Sequence, residues 1–374
     1  MVIISNTTPD TFPTTDVLFQ TQLWGKLKTI TGQQAFYFWI TYQKDEHDDK
    51  KFYFPLLVLI RNTKNNMLYA YIQRAPTITL PEEDRALFLE ELSIALKEHL
   101  PNNTICIRYD LPWLSKSNSH ESLRPELMEV KMNFATNLHN FKKSVTNHLC
   151  QDTIIINLSL PPEQLLQNMR QQTRNSVRRS YKTNIEFSIF NSESPTLKTV
   201  LKEWHDIYVE TGKRKGFYYE EYQYFENLFT TKISTKDFVE STSLVPMIAP
   251  VPQPRFYLFT ANKEQILLSG LILAISGRTA YYMYAASTLE NRECMPNYGL
   301  QWEVIRFARS CGCTKYDLMG IPQNGDSSNP MSGLYIFKTG FGGQQVRYGG
   351  AWDFPLNQNE YENLRLNEML ALRN

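Results

Sequence analysis

The sequence is poor in the features that name a function at sight. Cysteine is scarce: Cys106, Cys150, Cys294, Cys311 and Cys313 are odd in number and irregular in spacing, so they describe no disulfide framework. Cys311 and Cys313 lack two further ligands at zinc spacing, and the six histidines do not supply them. No metal site is expected, and the thiols read as reduced and buried in a cytoplasmic protein. Charge of one sign is also missing. A net charge of +1 excludes a chain that is polyanion-binding as a whole, so any nucleic-acid contact needs a local patch. The longest apolar runs, "FPLLVLI" and "ILLSGLILAIS", are too short to span a bilayer. The start, "MVIISNTTPDTFPTTD", has neither a charged beginning nor a sustained apolar run, so no signal peptide is expected. A soluble, monomeric, cytoplasmic protein follows, free to touch the inner membrane surface peripherally. No Gly-x-x-x-x-Gly-Lys-Ser/Thr loop, Gly-x-Ser-x-Gly elbow, His-Glu-x-x-His or paired Cys-x-x-Cys occurs. Nucleotide hydrolysis, serine-hydrolase and metalloenzyme chemistry lose their usual signatures.

What is present is ordinary globular material rich in rings. Hydrophobic residues make up 42%, charged residues 21%, and Tyr and Phe number 21 each. That composition can fill a core and also build sites that hydrogen-bond or stack on a polar ligand. The length of 374 residues suits two domains or one large one.

One scheme occurs twice. "AFYFWITYQ", "KFYFPLLVLI" and "MLYAYIQ" read as a three-strand meander. The helix "PEEDRALFLEELSIALKEHL" follows, with Pro81 in its first turn and Glu82, Glu83 and Asp84 at its positive end. A short strand, "TICIRYD", then ends in Asp110. Later, "RFYLFTA", "QILLSGLILAIS" and "TAYYMYAAS" form a second meander, "NYGLQWEVIRFARSCG" a second helix, and "TKYDLMG" a second strand carrying Asp317. The expected fold class is α+β with two similar domains facing across a cleft, where ligands commonly bind. The domains are placed at residues 1–152 plus the returning 347–374, and at 153–346. Asp110 and Asp317 would stand at strand ends, as site residues or as turn caps, with the cap favoured for Asp317. Tyr282 and Tyr284, two apart, are expected on one face of their strand. "LVPMIAPVPQP" reads as a surface loop of the second domain.

Between the two schemes lies "LPPEQLLQNMRQQTRNSVRRSYKTNIEF". Arg170, Arg174 and Arg178 recur every four residues along one expected helical face, and Arg179 and Lys182 extend it without a compensating acid. Such a stripe suits a phosphate backbone and carries affinity rather than base specificity. Near the C-terminus, "MSGLYIFKTGFGGQQVRYGGAWDFP" sets Lys338 between Phe337 and Phe341 among Gly333, Gly340, Gly342, Gly343 and Gly349. The missing Gly-Lys-Ser/Thr order removes a nucleotide loop. What remains is a tight turn or a strand holding one cation, with glycines that let a bulky substrate approach.

Taken in order, "FQTQLWGKLK", "ICIRYDLP", the basic helix, "YYMYAAST", "NYGLQWEVIRFARSCGCTKYDLMGI" and "GLYIFKTGFGGQQVRYGGAWDFP" resemble the FemABX family, the peptidoglycan interpeptide-bridge aminoacyltransferases. The resemblance implies two GNAT-like (acetyltransferase-type) domains that use no acyl-CoA and no cofactor. It implies aminoacyl-tRNA as co-substrate, and lipid II or UDP-MurNAc-pentapeptide as the partner whose third stem residue offers its side-chain amine. It also implies roles. Lys28 and Tyr284 would contact the precursor, with Tyr282 and Tyr224 lining that site. Asp110 would lie near the acceptor amine, and Lys338 at the tRNA acceptor end. At Glu220 the sequence departs from a phosphate-binding arginine, and Lys213, Arg214 or Lys215 are the replacements at hand. Two other readings stay open: an N-acyltransferase of the same doubled fold with another donor or acceptor, and a non-catalytic module that binds RNA or precursor.

Overall fold

The computed structural model describes residues 1–45, 50–63, 67–114, 124–233, 252–322 and 332–372. In the first half the chain runs through β1 (Val2–Asn6), α1 (Gln22–Ile30), β2 (Gln34–Gln43), β3 (Lys51–Asn62), β4 (Leu68–Gln73), α2 (Glu82–Lys97), β5 (Thr104–Leu114), α3 (Pro125–Asn133) and the short β6 (Lys142–Lys143). The second half holds β7 (Asp152–Asn157), α4 (Pro162–Asn168), α5 (Gln171–Lys182), β8 (Glu186–Phe190), α6 (Leu197–Lys215), α7 (Tyr222–Thr230), β9 (Arg255–Lys263), β10 (Ile266–Ser276), β11 (Thr279–Ser287), α8 (Pro296–Ser310), β12 (Lys315–Gly320) and α9 (Ser332–Gly340). Then β13 (Gln344–Pro355) and α10 (Gln358–Ala371) return to the first half.

The expected scheme is there twice. β2, β3 and β4 form an antiparallel meander, and α2 carries the chain over to β5, parallel to β4. β9, β10 and β11 repeat it, and α8 leads to β12, parallel to β11. A parallel neighbour needs such a crossover, and a helix with one apolar stripe supplies it. On α2 that stripe is Ala86, Phe88, Leu89, Leu92 and Leu96, all buried.

The strands follow one another in the order β1-β2-β3-β4-β5-β13-β7-β12-β11-β10-β9-β8. β13 is the splice: Gln344–Arg347 pair with β7, and from Tyr348 onward the strand pairs with β5. A second bond between the halves is apolar. Phe12, Leu18, Phe19, Trp24 and Leu57 share one core with Leu201, Trp204, Phe225, Leu258 and Tyr281. Each such side chain contributes roughly 1.5–3 kcal/mol on burial, so the halves meet through a true core.

The halves differ where it matters. β4 stays beside β5 up to Gln73 and Asp110. β11 stays beside β12 only over Thr279–Tyr281 against Lys315–Asp317, and beyond Tyr281 the two strands are no longer paired.

Several expectations are corrected. The basic helix is broken: Met169 and Arg170 are extended, with ψ of 150° and 145°, because Met169 turns into the core beneath α4 and α5. The segment around Lys338 is a helix, not a strand or turn. Leu334, Phe337, Lys338 and Phe341 recur at intervals of three and four, the helical period. The glycines after it serve the protein's own packing. A Cβ on Gly340 would lie 2.3 Å from Thr173 Oγ1, and one on Gly342 would lie 2.3 Å from the Asn168 carbonyl. Finally, Cys106, Cys294 and Cys313 are buried thiols, but Cys311 is half-buried and Cys150 exposed. The proline-rich segment 244–254 lies mostly outside the described residues. Among the described residues no helix is long and apolar enough to cross a membrane.

Candidate active site

β11 carries the site, and a bulge shapes it. Leu273 faces Tyr282 across the ladder while the adjacent Ile272 faces Tyr284, so Met283 is an extra residue. Successive residues point to opposite sides of a sheet, and the inserted residue shifts that alternation by one. Tyr282 and Tyr284 therefore face opposite sides, contrary to their expected shared face. Tyr282 packs with the core beneath α8 and α9, and Tyr284 with the core shared by the two halves.

On Tyr282's side lies Lys338, 3% exposed, in the last turn of α9. Its Nζ donates to the Gly320 carbonyl at 2.8 Å and the Met319 carbonyl at 3.4 Å, and stands 4.9 Å over the Tyr282 ring. Burial pushes its ammonium down to about 8, with Cys150 and Asp317 pulling partly the other way. Asp317 builds this perch. Its carboxylate accepts from Met319 N at 2.7 Å and Thr153 Oγ1 at 2.5 Å, and Met319 sits at a φ of 54°. The aspartate thus does cap a turn, the one whose carbonyls hold Lys338.

On Tyr284's side three elements from both halves converge. Lys28 of α1 meets the Tyr224 hydroxyl of α7 at 3.5 Å, and that hydroxyl lies 2.8 Å from the Tyr284 hydroxyl. Lys28 also stands over the Trp24 and Tyr224 rings at 4.5 and 5.0 Å. Burial lowers Lys28 to about 8, Glu220 raises it and Arg61 lowers it. Glu220, where an arginine would fit the resemblance, thus supports the charge on Lys28. Arg61, 4.7 Å over the Tyr71 ring, is a further cation on this side. Lys213, Arg214 and Lys215 end α6 instead, and Arg214 is tied to the Ser287 carbonyl at 2.7 Å.

Asp110 is fully enclosed. It accepts from the Tyr71 hydroxyl at 3.0 Å and Leu149 N at 3.2 Å, and lies 3.5 Å from Arg74 Nη1. Burial raises its carboxyl, and Arg74 most strongly opposes that. Arg74 continues outward, over the Tyr348 ring at 3.7 Å and to the Cys150 carbonyl at 2.6 Å. Among the described residues no hydrogen bond or ion pair joins Asp110 to Lys338.

The basic stripe is divided by the helix break. Arg170 precedes α5, and Arg174 turns back to donate to the Gln167 carbonyl at 3.0 Å and to the Met169 carbonyl. Arg178, Arg179 and Lys182 remain exposed. Among the described residues no group of His, Cys, Asp and Glu is placed to hold a metal ion.

Arg74, Cys150, Tyr348 and the Asp317 turn were not found as site residues from the sequence. Only Asp317 carried a signal, its place at a strand end. The others come together through the pairing of β4, β5, β13 and β7.

Two meanders, each closed by a crossover helix and a parallel strand, with a buried lysine where the second strand pair parts, define a doubled acetyltransferase-type α+β protein. The chain belongs to the FemAB family, whose model matches residues 6–238 and 257–368. It is 26% identical over 266 residues to a lipid II:glycine glycyltransferase of Staphylococcus epidermidis, covering 59% of this chain and 62% of that one. It is 25% identical over 272 residues to the protein of the same description from Staphylococcus aureus, covering 59% and 63%. The chain thus spans less than two thirds of the length of these relatives. The fold is also that of the crystal structure of FemX, with a TM-score of 0.69 at 19% identity over 97% of this chain and 100% of that one.

Proposed function

We propose that the protein transfers an amino acid from aminoacyl-tRNA to the side-chain amine of the stem peptide in a peptidoglycan precursor, lipid II or its UDP-linked form. The observation that carries this is the buried ammonium of Lys338 beside the parting of β11 and β12. A second cationic cluster, Lys28 with Tyr224 and Tyr284, occupies the opposite face of the same strand. Donor and acceptor would approach from opposite faces and meet where the strands part.

The chemistry is aminolysis of an ester that is already activated. The neutral amine attacks the ester carbonyl carbon, a C–N bond forms, and the carbonyl becomes an oxyanion next to Lys338. Collapse expels the ribose oxygen, and the proton lost from the amine ends on that leaving oxygen. No nucleophilic side chain is needed; the gain comes from positioning and from charge held ready for the oxyanion. Asp110, itself fully enclosed, would orient the acceptor side through Arg74, whose guanidinium it holds from within. Lys28 and the tyrosines would hold the precursor. The family resemblance, and the description of the relatives as lipid II:glycine glycyltransferases, support this reading.

Transfer of radiolabelled amino acid from charged tRNA to each precursor tests it, with RNase as control. Incorporation abolished by RNase is expected. RNase-insensitive incorporation would assign another donor, and binding of precursor without incorporation from any charged tRNA would leave a binding module. Within this assay, Lys28→Ala is expected to raise the precursor KM by about tenfold with kcat little changed, as when roughly one charge-assisted hydrogen bond is removed. Asp110→Asn is expected to lower kcat at least about tenfold, in keeping with the loss of the charge that holds Arg74 in place. Wild-type kcat in that variant would remove Asp110 from the reaction.

A further inference from the structure

Two successive carbonyls of one strand hold Lys338: Met319 and Gly320, at 3.4 and 2.8 Å from its Nζ. In a regular strand neighbouring carbonyls point to opposite sides, so one ammonium would meet only one of them. A bulge in β12 removes that limit. Asp317 faces Ile155 and Gly320 faces Thr153, so three steps along β12 match two along β7. Met319 lies within the bulge at a φ of 54°, a backbone conformation uncommon outside glycine. Such a conformation persists where its surroundings impose it.

Two buried side chains impose it here. Asp317, 5% exposed, accepts from Met319 N at 2.7 Å. Thr153 of β7, 1% exposed, donates its hydroxyl to the same carboxylate oxygen at 2.5 Å and stands 3.1 Å from the Met319 carbonyl. The other carboxylate oxygen lies 3.5 Å from the Tyr348 hydroxyl. Both the N–H and the carbonyl of Met319 are thus tied to these two side chains. An ammonium carries three N–H donors. Among the described residues Nζ hydrogen-bonds only the two carbonyls, which leaves one donor for an oxyanion. We propose that Asp317 and Thr153 are a positioning pair for the transfer: they fix the bulge whose carbonyls take two donors of Lys338 and so aim the third at the reacting carbonyl. The inference rests on the reading of Lys338 above, and it assigns the geometry of that lysine to two residues that act only through it. Asp317 also adds charge. Burial lowers the Lys338 ammonium, and Cys150 before β7 and Asp317 on β12 oppose that, while Tyr282 of β11 offers its ring face.

The transfer assay tests the pair. Thr153→Val keeps the shape and removes the hydroxyl; it is expected to lower kcat about tenfold or more with the precursor KM unchanged, as a misplaced reacting group does. Thr153→Ser returns the hydroxyl and should restore most of the rate. Asp317→Asn keeps an acceptor for Met319 N and removes the charge. A carboxylate favours the ammonium, so without it Lys338 gives up its proton at lower pH. The pH at which the rate stops rising should therefore be lower than in the wild type, a shift that a merely structural aspartate would not produce. Wild-type kcat in Thr153→Val, Thr153→Ser no faster than Thr153→Val, or an Asp317→Asn profile that levels off at the wild-type pH would overturn the pair. Lys338 keeps its role in each of those cases if Lys338→Met stays impaired. Near-normal transfer by Lys338→Met would remove the lysine and the pair with it.

Discussion

Replacing Lys338 by methionine is expected to cut single-turnover transfer by about 10²–10³, the usual cost of losing one preorganised donor to an oxyanion. The side chain is long and apolar enough to keep much of the packing against Tyr282, so binding of precursor should survive while the chemical step fails. The pH profile carries a second expectation. The acceptor amine must be neutral, so the rate rises with pH at first. Lys338 must be charged, and its burial sets its titration near 8. The acceptor is a side-chain amine that titrates near about 10, so the rate should stop rising as pH passes through about 8 and hold a plateau, the gain in neutral amine being offset by the loss of charge on Lys338. Lys338→Arg keeps the charge to much higher pH. Whatever activity it retains should go on rising beyond about pH 8. Near-normal single-turnover rates in Lys338→Met, or a plateau unchanged in Lys338→Arg, would remove the lysine from the reaction.

The largest effect on stability is expected at Arg108, two residues before Asp110 on β5. This arginine is wholly buried and binds both carboxylate oxygens of Asp353, at 2.7 and 2.9 Å, and both of Glu368, at 2.6 and 3.0 Å. Tyr361 adds its hydroxyl to Asp353 at 3.0 Å. The knot thus ties β5, β13 and α10 together and anchors the returning C-terminal segment to the first half. Removing one partner strands buried charge. Arg108→Met is expected to cost about 3–5 kcal/mol, read as a lower denaturation midpoint in urea. Arg108→Met with Asp353→Leu should cost less than Arg108→Met alone, because the more buried of the two stranded carboxylates is gone. A double variant that is the sum of the two single losses would show that the charges contribute independently.

Much of the architecture was legible because its signals are local. The alternation in "AFYFWITYQ" and the acidic start and apolar stripe of residues 82–97 act within one element, and they appear as β2 and α2. The helix at Ser332–Gly340 escaped the sequence reading because glycines and aromatics around Lys338 also suit a strand end. The three-and-four spacing of Leu334, Phe337, Lys338 and Phe341 was the signal that decided it. The break at Met169 had no comparable mark: nothing local says that a methionine turns inward.

The site divides in the same way. The sequence by itself determined that one lysine would stand among aromatics near the C-terminus, that the meander scheme would occur twice, and that a lysine and tyrosines from distant segments were available. Tertiary structure decided which of them meet. A single inserted residue at Met283 sends Tyr282 to Lys338 and Tyr284 to Lys28 and Tyr224. Strand pairing encloses Asp110 with Arg74, and the Asp317 turn aims two carbonyls at Lys338. Register and burial depend on which strands become neighbours, and a one-residue offset in a ladder leaves the composition and the local pattern of the strand unchanged.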